Sequence, residues 1–233
     1  MTSKSPSPVR RAALLSVALL GTGCAGSLLP KPAAAPARYT LGDAAALPGV
    51  STASSAPALQ PNVLKDALKD APKYAPSIVV ALPNAAPGFD STRMVYLRQP
   101  QALQFYAYAE WVDTPARLLL PLLVQAVQQT GAFRAVLQAP SSATGALRLE
   151  TELLRLQHDH TASPSEVRLT LRAVLLDTAT RQPLGTREFD ARVPAPSDDP
   201  AGCVAAAATA SRRVLAELAN YAATFASGTR REP

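Results

Sequence analysis

Across 233 residues the chain holds two cysteines, two histidines, two methionines and one tryptophan. Cys24 and Cys203 are too few to build a disulfide-stapled scaffold. The two histidines, His158 and His160, flank Asp159, and no motif supplies a third metal ligand beside them; a polar hairpin tip accounts for the group. Neither a Gly-x-Ser-x-Gly nucleophile elbow nor a phosphate-cradling glycine loop is present, which argues against a serine hydrolase and a nucleotide-binding enzyme. No apolar run is long enough to span a bilayer as a helix. Internal repeats are absent too, so one folded domain is expected. Aromatics make up 5% of the chain and charged residues 17%, with no Lys/Arg stripe interleaved with aromatics, so the net charge of +6 does not indicate a nucleic-acid groove. Glu110, Asp113, Glu150, Glu152 and Asp177 could pair in space as glycosidase carboxylates do, but Glu150 and Glu152 fall on one side of a strand, opposite Leu147, Leu149 and Thr151, and read as its solvated face. The chain is therefore expected not to be an enzyme, to need no cofactor or metal, and to bind no nucleic acid.

Proline, by contrast, is abundant: 22 residues, many of them before residue 90. Lys4, Arg10 and Arg11 precede a nine-residue apolar run, Ala12 to Leu20, and then Gly21-Thr22-Gly23-Cys24. A short basic region, a short apolar core and small residues before a cleavage point form the layout of a secretory signal. The segment resembles a bacterial lipoprotein precursor, with Leu20 one place further from Cys24 than in the usual pattern. That resemblance implies cleavage before Cys24, diacylglycerol and an acyl chain on its sulfur and amine, and an anchor on the periplasmic side of the envelope. With Ala25 rather than Asp following the cysteine, the implied address is the outer membrane. More than one acyl chain suffices to hold a soluble domain stably at a membrane. Without the three signal cations the mature chain carries about +3.

The domain organisation follows: a signal peptide at 1–23, a Pro/Ala-rich tether at 24–38, a single domain at 39–227 and a polar tail at 228–233. Within the domain, Tyr39-Thr40-Leu41 is strand-like, and 42–76 is weakly patterned apart from one possible helix at 62–71. Strands are expected at 78–82, 94–97, 104–108 and 133–137. Thr114-Pro115 opens a helix to Gly131, with Thr114 placed to cap the first amides. Strands at 147–156, 166–176 and 184–193 form a meander, the second alternating Val167, Leu169, Leu171, Ala173 and Leu175 with Arg168, Thr170 and Arg172. The connection around 158–164 reads as a polar loop. A closing helix runs from Cys203 to Phe225, with Val204, Ala208, Ser211, Leu215, Leu218, Ala222 and Phe225 on one side and Cys203 as a small buried residue. The expected architecture is an α/β two-layer sandwich: a mixed or largely antiparallel sheet with two main helices packed on one face.

Three stretches carry a second resemblance: Asp90-Ser91-Thr92-Arg93-Met94-Val95-Tyr96, then Phe105-Tyr106-Ala107-Tyr108-Ala109-Glu110-Trp111-Val112-Asp113-Thr114-Pro115, and Gly131-Ala132-Phe133-Arg134-Ala135-Val136. In this order they resemble the ABC-type transport auxiliary lipoproteins, small partners of MCE-domain lipid transport systems. The resemblance implies a non-catalytic periplasmic subunit that links or stabilises an envelope-spanning assembly, with an MCE-domain protein as partner and a possible homo-oligomer. A scaffold or chaperone lipoprotein for an outer-membrane complex is the alternative. The site residues expected to form a partner interface, or else to brace the core, are Arg93, Tyr96, Tyr106, Tyr108, Trp111, Asp113 and Pro115. Phe105 and the nearby tyrosines and tryptophan are amphipathic anchors of the kind enriched at interfaces, and they also suit the space under the Pro115 helix. Arg93 is placed to pair with Glu110 or Asp113.

Overall fold

The computed structural model describes residues 35–42 and 75–226. The signal segment, Cys24, most of the tether, the 62–71 helix and the tail at 228–233 lie outside the described residues. Within them run β1 (Ala37–Tyr39), β2 (Ser77–Val80), β3 (Asn84–Ala85), β4 (Arg93–Leu97), β5 (Leu103–Trp111), α1 (Pro115–Gln129), β6 (Ala135–Gln138), β7 (Leu147–Asp159), β8 (Glu166–Asp177), β9 (Pro183–Pro194) and α2 (Pro200–Ala226). The strands form one mixed, unclosed sheet with the two helices packed against it, as the sequence predicts.

Strand β7 is the spine. One edge pairs antiparallel with β8, and β8 with β9, giving the expected meander. The other edge pairs parallel with three short strands in succession: β2 beside Leu147–Leu149, β3 beside Glu152 and Leu153, and β4 beside His158 and Asp159. Strand β6 extends the sheet beyond β2, while β5 and β1 extend it beyond β4. Ile78, Leu147, Leu149, Leu153, Leu169, Leu171 and Leu175 fill the inner face against Leu119, Leu123, Val127, Val214 and Leu218 of the helices. On the other face Arg148–Glu150, Glu152–Arg172–Glu188 and Arg168–Asp190–Arg192–Glu166 form a lattice of ion pairs. Glu150 and Glu152 are each taken by an arginine there, so neither is one of a facing pair of free carboxylates.

Helix α1 starts at Pro115 as expected and differs only in its capping, whereas α2 starts earlier than expected. Thr114 occupies the N-cap of α1 but makes no side-chain cap; instead Asp113 Oδ1 accepts from the Thr114 amide at 2.7 Å. Helix α2 begins at Pro200 rather than at Cys203, because Asp199 is its cap and accepts from the Gly202 amide at 2.7 Å. That hydrogen bond holds the Asp199 carboxyl below the usual carboxylate range. The buried stripe of α2 is also shifted: Ala206, Ala207, Ala210, Val214 and Ala219 face inward, while Val204, Ala208 and Phe225 are only half-buried. Alanine steps let the helix approach the sheet closely, and a stripe of small residues is harder to read than one of leucines.

Gly202 sits in the first turn with the Ser197 main chain where a Cβ would go, the Ser197 carbonyl carbon being 2.8 Å from that point. Gly202→Ala is therefore expected to destabilise the chain by about 1–3 kcal/mol, although alanine is the better helix former. A denaturant titration showing no loss would mean that the Ser197 turn yields freely.

Candidate functional site

The sheet end where β4, β5 and β7 meet the start of α2 holds a hydrogen-bonded cluster that includes the buried His158 and Ser165. Its origin is a bulge. Up to Leu153 the odd residues of β7 face the helices, but the register with β8 slips between Leu153 and Arg155. Beyond the slip Leu156 and His158 lie opposite Leu169 and Val167, on the inner face. His158 is thus at the strand end, one of the two placements that the sequence allows, but with 0% exposure it is enclosed by the core rather than set at a polar tip.

A directional chain of hydrogen bonds satisfies it. His158 Nδ1 lies 2.8 Å from the Tyr106 hydroxyl and Nε2 2.9 Å from Ser165 Oγ. Ser165 donates to Asp198 Oδ1 at 2.5 Å, and Tyr106 also meets His160 Nε2 at 3.1 Å. An ionised Asp198 can only accept, so Ser165 must donate to it and accept from His158 Nε2–H. His158 Nδ1 then accepts from Tyr106, which accepts in turn from His160. Burial, and after it the neighbouring His160, press the His158 pKa down to about 4, against weaker opposing fields from Asp198, Asp199 and Asp159. The imidazole is accordingly neutral near pH 7, and burial also raises the Tyr106 phenol.

The arrangement contains a serine, a histidine and an aspartate, but not in the order of a hydrolytic triad. There the acid orients the histidine and the histidine takes the serine proton. Here Asp198 holds the serine proton itself, and Ser165 is almost fully enclosed. Cys203, nearby at the α2 start, has its thiol pushed up to about 12 by burial, which makes it a poor nucleophile. His158, His160 and Asp198 do present possible metal-ligand atoms within 4.8 Å of one another.

The sequence-predicted site residues separate into three environments. Tyr96 and Tyr106 join this cluster, their rings 4.7 Å apart, with Tyr96 edge-on to His160. Trp111 and Pro115 are buried in the core and in the first turn of α1. Tyr108 is 66% exposed on β5, and Leu103 and Val112 are exposed too. Arg93 does not make the expected ion pair: it lies over the Phe105 ring at 4.1 Å, while Arg38 takes Glu110 at 2.9 Å and Arg117 approaches Asp113 at 3.7 Å. Strand β1 pairs with β5 only over Ala109–Trp111, so no described strand covers that edge from Leu103 to Tyr108. Two hollows among the described residues are ill suited to an acyl chain. The groove between the helices is about 160 Å³, and the open cleft of about 580 Å³ under the 139–145 loop has Arg148 and Glu150 in its wall.

Comparison with known proteins decides what this assembly belongs to. The sequence model described as ABC-type transport auxiliary lipoprotein component matches residues 57–219, well over half of the chain. The chain belongs to that family. For this auxiliary lipoprotein, the match begins inside the weakly patterned 42–76 stretch, so the later part of that stretch is family sequence. Protein XCC0632 from Xanthomonas campestris, a DUF330 protein, is 26% identical, with a TM-score of 0.62 over 67% of this chain and 89% of its own. An uncharacterized protein is 14% identical at TM-score 0.54, covering 65% of this chain and 94% of its own, and shares the fold. A PelC dodecamer from Paraburkholderia phytofirmans is 14% identical at TM-score 0.38, over 64% of this chain and 90% of its own. No curated protein matches. Membership in a lipoprotein family goes with an envelope-associated location, and among the described residues no helix is long and apolar enough to cross a membrane.

Proposed function

We propose that this auxiliary lipoprotein is a non-catalytic subunit of a lipid-transporting ABC system, anchored through Cys24 on the periplasmic side of the outer membrane, where it holds an MCE-domain protein. The reading rests on family membership together with one surface feature, the edge of β5 that no described strand covers from Leu103 to Tyr108. Tyr108 is exposed on that stretch, and Leu103 at its start is exposed as well. Such edges are covered in folded proteins or used for strand addition, and tyrosine is favoured where a partner supplies the cover. The ordered polar cluster at the sheet end supports a structural role over a reactive one, since each of its protons already has an acceptor.

Brief in-cell crosslinking of the full-length protein, followed by mild-detergent affinity capture and mass spectrometry, tests this. An MCE-domain protein is the expected catch. Tyr108→Glu should reduce that catch about tenfold with the melting temperature unchanged, the loss expected of a central aromatic contact. Cys24→Ala should release the chain from the membrane fraction. Capture of a β-barrel or secretion component, with no MCE protein despite its expression, would replace the proposal with the envelope-scaffold reading.

A further inference from the structure

We propose that His158, His160 and Asp198 form a binding site for one divalent transition-metal ion of the zinc class, with the Tyr106 phenol beside it. The three residues come from two stretches of chain: the end of β7 with the residue just past it, and the turn that leads into α2. They meet because β8 and β9 pair antiparallel, in unbroken register from Glu166 to Leu175. Glu166 lies opposite Pro194, and the Ala195 amide bonds the Ser165 carbonyl at 2.8 Å, which brings Asp198 back beside the histidines.

The donor set is two imidazoles and a carboxylate, a combination that suits zinc, nickel, copper or iron better than magnesium or calcium. Its spacing is close to what an ion needs. Zinc at 2.0–2.2 Å from nitrogen and oxygen places its ligands about 3.3 Å apart. Tyr106 oxygen already stands 2.8 and 3.1 Å from the two imidazole nitrogens, and the three ligand atoms lie within 4.8 Å. The remaining closure falls on the side chains best able to move. His158 is fixed in a strand, whereas His160 is half-buried past the strand end and Asp198 is exposed in a turn. Tyr106 and Ser165 hold opposite nitrogens of the His158 ring, so an ion bound on one side leaves the other partner to orient it, as outer-shell groups do in metal sites. A bound ion would tie the end of β7 to the start of α2.

The test uses the full chain without a histidine tag, in detergent, stripped with chelator and titrated calorimetrically with zinc chloride. One ion per chain is expected, with a dissociation constant of about 10 μM or tighter, and cobalt should give a spectrum of nitrogen and oxygen ligation. His160→Ala and Asp198→Asn should each weaken binding at least tenfold (about 1.4 kcal/mol) while leaving the metal-free circular dichroism spectrum unchanged. The proposal is overturned by an absence of saturable binding, by equal affinity in both variants, or by a thiolate charge-transfer band that assigns the ion to Cys203.

Discussion

Acidification from pH 7 to pH 4, with chelator present, is expected to cost the folded chain about 1–3 kcal/mol through His158 alone. Burial holds its imidazole at about 4, against an ordinary value of 6.5. The unfolded chain therefore takes up this proton first, between pH 6.5 and 4, and proton binding pulls the equilibrium toward it. The contribution is complete above pH 6.5, falls as pH drops through the window, and is fully lost below the folded value. Carboxylates that protonate near pH 4 destabilise many proteins, so the informative quantity is a difference. Denaturant midpoints of the wild type and of His158→Gln, measured at pH 7, 5.5 and 4.5, should converge as pH falls. Parallel curves would show that His158 does not titrate as its enclosure demands.

Protonation also has a structural consequence. A cationic His158 donates from both nitrogens, so Tyr106 can no longer donate to Nδ1. Its hydroxyl must turn away from Nδ1 to another acceptor. The cluster thus has one proton arrangement at neutral pH and another in acid, and the change centres on the Tyr106–His158 hydrogen bond.

The meander, both helices and the layer arrangement could be read from the sequence because leucine and valine alternate strictly in β8 and recur at helical spacing in α1. The inward turn of His158 could not. It depends on a one-residue slip at Leu153, and a slip of one residue reverses every side chain beyond it without altering composition. Asp198 was equally hidden, being 38 positions beyond His160, yet a signal existed. Asp199-Pro200 is a cap followed by a first-turn proline, the same signal as Thr114-Pro115, and it would have placed the α2 start beside the head of β8. The short strands β2, β3 and β4 were legible as extended segments, but their shared alignment along one edge of β7 was not, since parallel pairing leaves no local turn to read. Among the aromatics, residue type could not separate Trp111 from Tyr108. Strand alternation alone would put Ala109 and Trp111 together and Tyr108 opposite them, which matches the burial of the first two and the exposure of the third.

That separation yields the second large expected effect. Trp111→Ala should destabilise the chain by about 3–5 kcal/mol, the usual range for emptying a buried indole site. Trp111 is 2% exposed, sits level with Tyr39 of the edge strand β1, and donates its amide to the Thr92 carbonyl at 2.7 Å. Truncation opens a cavity where β1, β4 and β5 meet the core, and about 10 °C of melting temperature should go with it. Trp111→Phe should restore more than half of the loss, since most of the ring volume returns. Tyr108→Ala, three residues away, should change stability by less than about 0.5 kcal/mol. Trp111 is the chain's one tryptophan, so these variants are compared by circular dichroism in denaturant rather than by fluorescence. If Trp111→Ala unfolded at the wild-type midpoint, the core assignment would fail, and Trp111 would return to the partner surface with Tyr108. If it lost partner capture only in proportion to its unfolded fraction, while Tyr108→Glu lost capture fully folded, the two roles would be separated on one strand.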